Sequence, residues 1–247
     1  MPEASTGSVP ELVEGPEPVD ASTGSATATG ASTGSATALA DELVDLPVLS
    51  SEVVFEGAIW NVRRDRFTFG DSEITREYID HTGAVAVLVL DDDDRVCLIR
   101  QYRHPVATRE WELPAGLLDF AGESSLTAAQ RELAEEVDLV ASDWSVLTDF
   151  HTSPGGNNEA LRVYLARGVS AAAEVFARTD EEAEIEKRWV PLDEIVDAVL
   201  DRRVQNSILV IAALAAHVSK TRGWSSLAPA DSPWPQHPVA RRLARSE

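Results

Sequence analysis

From residue 53 onward the apolar residues of the chain alternate between two spacings, and each change of spacing marks a new element. Short apolar or alternating runs predict strands over 53–62, 64–69, 74–79, 84–90, 96–101 and 111–113, and again over 144–150, 161–166 and 185–190. Between them, Leu126, Ala129, Leu133 and Val137 fall on one face of a helix predicted over 126–137, which Ser124 or Ser125 can cap. Two more helices are predicted over 192–200 and 206–221. The run 84–90 reads as buried, and Asp91 to Asp94 reads as a solvated turn that joins it to 96–101 as a hairpin. Hairpins next to helices favour an α/β (α+β mixed) class, with helices on the faces of a mixed sheet and not a purely parallel one.

Outside these elements the pattern fades. Residues 1–42 are rich in Ser, Thr, Gly, Ala and Pro, and ASTGSATA occurs twice, at 21–28 and 31–38. This segment is expected to be a disordered low-complexity tail, because the repeat is too short and too polar to stack. An N-terminal antiparallel sheet is expected over 50–82, the main domain over 83–222, and an irregular extension over 223–247, where Pro229, Pro233, Pro235 and Pro238 lie.

Composition narrows the functional classes. With 44% apolar and 26% charged residues the chain is ordinary for a globular protein. A net charge of -21 excludes a broad basic surface for nucleic acid. The single cysteine, Cys97, lies in an apolar stretch, so no intrachain disulfide is available and a reducing cytoplasm fits. No membrane partner is expected, since the longest apolar run, 208–216, falls well below the roughly 20 residues a span requires.

The chemistry concentrates on the first predicted helix. Glu132, Glu135 and Glu136 stand at i, i+3 and i+4, which gathers three carboxylates on one edge. Alone, such a cluster reads as a solvated helix face or as a site of hard oxygen ligands for a cation such as Mg²⁺. Its neighbours complete an order: Gly116, then Glu123, then RELAEEVDL over 131–139. This order resembles the Nudix box, whose usual form is Gly, five residues, Glu, seven residues and REUxEExGU. Two departures occur: six residues separate Gly116 from Glu123, and Asp138 replaces the usual glycine. A loop absorbs the first, and Asp tolerates the left-handed conformation that a helix end demands. QYRHP (101–105), WELPAGLLD (111–119), REYIDHTGAVAVL (76–88), SPGGNNE (153–159) and Pro154, fifteen residues past Leu139, resemble the ADP-ribose pyrophosphatase branch of that family.

The resemblance implies a Nudix-type α/β/α sandwich and Mg²⁺-dependent hydrolysis of ADP-ribose to AMP and ribose 5-phosphate, with Mn²⁺ as the alternative ion. It implies that Ala115, through its carbonyl, Glu132 and Glu136 hold the metal, with Glu135 a further ligand or an orienter of its water, while Arg131 fixes the glutamates. Glu159 is the candidate base, in a loop expected to close over the substrate; its other reading is an exposed loop acid. Should Glu159 fail, Glu135 is the next candidate. Arg103 is a candidate for a forked phosphate contact or a surface salt bridge. Arg76, Glu77, Ile59 and Leu117 are further substrate-binding candidates, and Trp60 reads as core or as a cover for adenine. A homodimer is implied, because the family often swaps its N-terminal sheet. The alternatives are another nucleoside diphosphate sugar, a dinucleotide, or a non-catalytic ADP-ribose-binding module.

Overall fold

A computed structural model describes residues 39–173 and 185–237. The chain divides into two units, Met1–Glu42 and Leu43–Glu247, and of the first only residues 39–42 are described, all exposed. The expected tail thus falls almost wholly outside the described residues.

In chain order the elements are β1 (Val48–Glu56), β2 (Asn61–Phe69), β3 (Ser72–Asp80), β4 (Ala84–Val89), β5 (Arg95–Arg103), β6 (Thr108–Glu112), β7 (Ala115–Leu117), α1 (Ser125–Val137), β8 (Leu139–His151), β9 (Ala160–Ala171), β10 (Glu186–Pro191), α2 (Leu192–Leu200), α3 (Ser207–Thr221) and β11 (Ala228–Pro229). The first three strands form an antiparallel sheet. A second antiparallel sheet runs β10-β5-β6. The third runs β11-β8-β9-β4-β7 and is mixed, since β4 and β9 are parallel while its other pairs are antiparallel.

The apolar run of β4 explains the layering. Successive strand residues point to opposite faces, so Ala84, Ala86 and Leu88 join one core with Leu192, Ile195, Leu209 and Ala213 of α2 and α3. Val85, Val87 and Val89 join another with Ala129, Leu133 and Val137 of α1. The strand has helices on both sides, which gives the α/β/α sandwich and explains why its sequence shows no polar alternation.

Helix α1 is closed at both ends by its own sequence. Ser124 caps the start by accepting the Thr127 N–H at 3.1 Å. At the other end Asp138 adopts φ 58, and its N–H donates to the Ala134 carbonyl. Lys187 secures this cap by donating to Asp138 Oδ2 at 2.7 Å and to the Val137 carbonyl at 3.3 Å.

Three expectations need correction. The strand predicted over 53–62 is broken by a reversal at 57–60, where Gly57 N–H donates to the Trp60 carbonyl. The turn carries Ile59 and Trp60, so the apolar pattern runs on while the backbone turns. The hairpin across Asp91 to Asp94 exists only at its root, as the Leu90–Val96 bridge and one bond from Asp91 N–H to the Arg95 carbonyl. Each strand has only two edges; β7 and β9 occupy those of β4, while β6 and β10 occupy those of β5. Finally, the segment after Gly223 is not wholly irregular: β11 pairs with β8, and buried Arg162 fastens the chain beyond it by donating to the carbonyls of Ser232 at 2.7 Å and Pro233 at 3.3 Å.

Candidate active site

Strand β7 brings the chain Ala115–Leu117 against the carboxylate face of α1. Ala115 N–H donates to Glu136 Oε2 at 2.9 Å, and Glu136 is only 9% exposed. Next to it, Gly116 leaves the space in which the Glu132 side chain lies; a Cβ there would overlap the Glu132 Cγ and carboxylate. The glycine that opens the motif is therefore a packing requirement imposed by the helix.

Arg131 organises the remaining acids. Its Nε and Nη2 meet the two oxygens of Glu123, both at 3.1 Å, and its Nη1 donates to Glu132 at 2.7 Å and Glu135 at 3.0 Å. The guanidinium stacks 4.7 Å above the Phe120 ring. Its pKa rises above the ordinary arginine value, chiefly through the bond to Glu123 and then through Glu132. One cation thus compensates three carboxylates, and the fourth faces a backbone amide. Among the described residues no three acid, His or Cys side chains are drawn tightly enough together to hold a metal ion in this arrangement.

A second group forms where β3, β4 and β9 meet. Glu159 Oε2 accepts from Thr152 Oγ1 at 2.6 Å, and its Oε1 lies 3.4 Å from His81 Nε2. The His81 ring stacks on Trp60 at 4.0 Å. Its other nitrogen, Nδ1, accepts the Gly83 N–H at 3.0 Å, so in the neutral ring Nδ1 carries no hydrogen and Nε2, the nitrogen near Glu159, carries it. Burial lowers the His81 pKa below its ordinary value, an effect that Glu159 and Asp80 partly offset.

The loop leading to Glu159, expected to close over a substrate, is tied to the end of β3 and to His81 by four hydrogen bonds. Ile79 N–H donates to Gly156 and Asn158 N–H to the Ile79 carbonyl, while the Asn158 side chain bonds Asp80 at 2.9 Å and accepts His81 N–H at 2.7 Å. Any closure of this loop would have to exchange these four bonds for contacts with a substrate.

The other candidates are spread more widely. Arg103 makes a forked pair with Glu112, at 2.8 and 2.6 Å, and Glu112 is 3% exposed; this is the salt-bridge reading, with a buried partner. Arg76 and Glu77 bond within the N-terminal sheet, to the Thr75 carbonyl and to Arg64. Ile59 is 71% exposed at the β1–β2 turn, and Leu117 packs against the α2–α3 core. Sequence reasoning missed His81, Thr152 and Asn158. The available signal was the polar IDHTG interruption between two apolar strands.

A family model described as NUDIX domain matches residues 80–213. The chain belongs to the Nudix family. The Nudix match begins at Asp80, next to His81, and takes in the Arg131 cluster and the Glu159 group. The chain is 42% identical over 204 residues to the ADP-ribose pyrophosphatase of Mycobacterium tuberculosis, covering 82% of this chain and 98% of that protein. It is 31% identical to the methanol dehydrogenase activator of Bacillus methanolicus, covering 69% and 92%. A solved structure described as an ADP compounds hydrolase shares the fold, with a TM-score of 0.61 at 24% identity, covering 74% of this chain and 99% of the other.

Proposed function

We propose that this Nudix protein hydrolyses ADP-ribose to AMP and ribose 5-phosphate with Mg²⁺ as cofactor. The carrying observation is the Arg131 cluster: Glu123, Glu132 and Glu135 around one guanidinium, with Glu136 on the Ala115 amide. The mycobacterial relative's name supports ADP-ribose as the substrate.

The donors fit a hard divalent cation, being carboxylate oxygens on one helical edge with the Ala115 backbone beside them. Glu132, Glu135, Glu136 and the Ala115 carbonyl would hold it, and the bound ion would neutralise diphosphate oxygens and acidify a water. Arg131 keeps the acids in place by bonds that a cation can share or replace. Glu159 takes the proton of the attacking water. Thr152 donates to its Oε2 and His81 Nε2 lies 3.4 Å from its Oε1, so lone pairs on both oxygens remain to accept.

Two further assignments belong to this reading. The protein acts as a homodimer through its N-terminal sheet, because β1 is exposed along its whole length and presents Leu49, Val53 and Phe55 to solvent. Its place is the cytoplasm, which suits the free, buried thiol of Cys97. Among the described residues no helix is long and apolar enough to cross a membrane. A panel of ADP-ribose, ADP-glucose and a dinucleoside diphosphate, read by AMP release with and without Mg²⁺, tests the substrate; faster turnover of either competitor overturns ADP-ribose.

A further inference from the structure

Beside the Arg131 cluster lies a cavity of about 590 Å³, within the range of roughly 300–1,000 Å³ typical of small-molecule sites. It is lined by the loop before α1, with Asp119, Phe120 and Glu123, and by Trp234 and His237. Glu123 and Phe120, which line it, both touch Arg131, so the cavity adjoins the Arg131 cluster. The C-terminal wall comes from beyond residue 213, outside the segment matched to the family.

That wall is built. Arg162, 2% exposed, pairs with Asp149 through two bonds of 2.8 Å, donates to the carbonyls just before Trp234, and lies 4.8 Å over the Trp234 ring. The His237 ring sits against Gly83, whose φ of 89 suits glycine and whose Cα has room for no side chain there.

The lining selects a chemistry. Among the described residues that line the cavity there is no Lys or Arg, while Asp119 and Glu123 are acids and Glu123 already holds Arg131, so the lining itself offers a free phosphate group no cation. Aromatic rings of Phe120, Trp234 and His237 in one lining with carboxylates and the Thr82 hydroxyl suit a neutral ring that carries hydroxyls, since carboxylates accept the hydroxyls of ribose and aromatic faces cover its apolar side. We infer that the C-terminal segment around Trp234 completes a subsite for the sugar of the non-nucleoside half of the substrate, and so helps set specificity. This rests on the diphosphate-sugar reading above.

The test measures binding by titration calorimetry with Mg²⁺ present, using ribose 5-phosphate, AMP and inorganic phosphate on the wild type, Trp234→Ala and Asp119→Asn. Both variants are expected to weaken ribose 5-phosphate by at least about tenfold while AMP and phosphate stay within about twofold. Asp119 is exposed at the surface, so Asp119→Asn reports even if Trp234→Ala does not fold. Unchanged ribose 5-phosphate binding in the folded variants, or an equal loss of AMP, overturns the subsite. Binding needs no turnover: a wild type that binds ribose 5-phosphate but releases no AMP from ADP-ribose refutes the proposed function and leaves the subsite standing.

Discussion

At residue scale two neighbouring side chains, Glu159 and His81, give separate tests. Glu159 is bonded by Thr152 and lies 3.4 Å from His81; as it is the proposed base, its removal is expected to act on the chemical step. Glu159→Gln keeps a hydrogen-bonding side chain and should lower kcat far more than it changes KM; a fall in kcat of less than about threefold would transfer the role of base to Glu135. His81 gives a pH signature. Its pKa in the folded state lies below the ordinary 6.5, so below that pH the unfolded chain binds the extra proton first and the folded state loses stability as pH falls. Protonation would also place a hydrogen on Nδ1, against the Gly83 N–H. The thermal midpoint should therefore decline below about pH 6.5, and His81→Gln should flatten that decline. An unchanged slope in the variant would show that other groups cause it. Glu159 was legible in the sequence as a candidate base, whereas its pairing with His81 was not, because the two side chains meet from 78 positions apart.

At the scale of elements, legibility followed the strength of the local signal. Helix α1 showed in the sequence because its apolar spacing, its Ser124 cap and its acids all agree on one helix. Strand β7 did not show, as three residues carry no period, yet it supplies the Ala115 amide that meets Glu136. The β1–β2 turn was hidden by its apolar residues, and the true partners of β4 and β5 are decided by sheet edges that no local pattern encodes. Asp138 offers a test of an element boundary. Its left-handed φ favours Gly over any β-carbon residue, and its side chain also holds Lys187. Asp138→Ala should cost about 1 kcal/mol in urea unfolding, with Asp138→Gly much closer to the wild type. Equal losses in both would show that the ion pair with Lys187, and not the backbone, sets the cap.

For the whole molecule, the family and helix α1 were readable from the chain, whereas the C-terminal wall of the cavity was not. Arg162 and Ser232 are 70 positions apart, and a proline-rich segment gives no sign of where it will pack. The N-terminal segment is a separate matter: its composition supplies little apolar area to bury. A chain beginning at Ala40 should keep its activity and thermal midpoint, and sedimentation should give twice the mass of one chain. Loss of activity, or a monomer with full activity, would contradict the tail assignment or the dimer respectively. The most direct measurement is AMP release from ADP-ribose by the wild type and by Glu136→Gln, each with and without Mg²⁺. Gln retains an acceptor for the Ala115 amide but removes a ligand charge, so the fold should persist while Mg²⁺-dependent turnover falls by at least about a hundredfold. Near-normal release by a folded Glu136→Gln, or wild-type release that ignores Mg²⁺, would contradict the assignment of this helix as the catalytic centre.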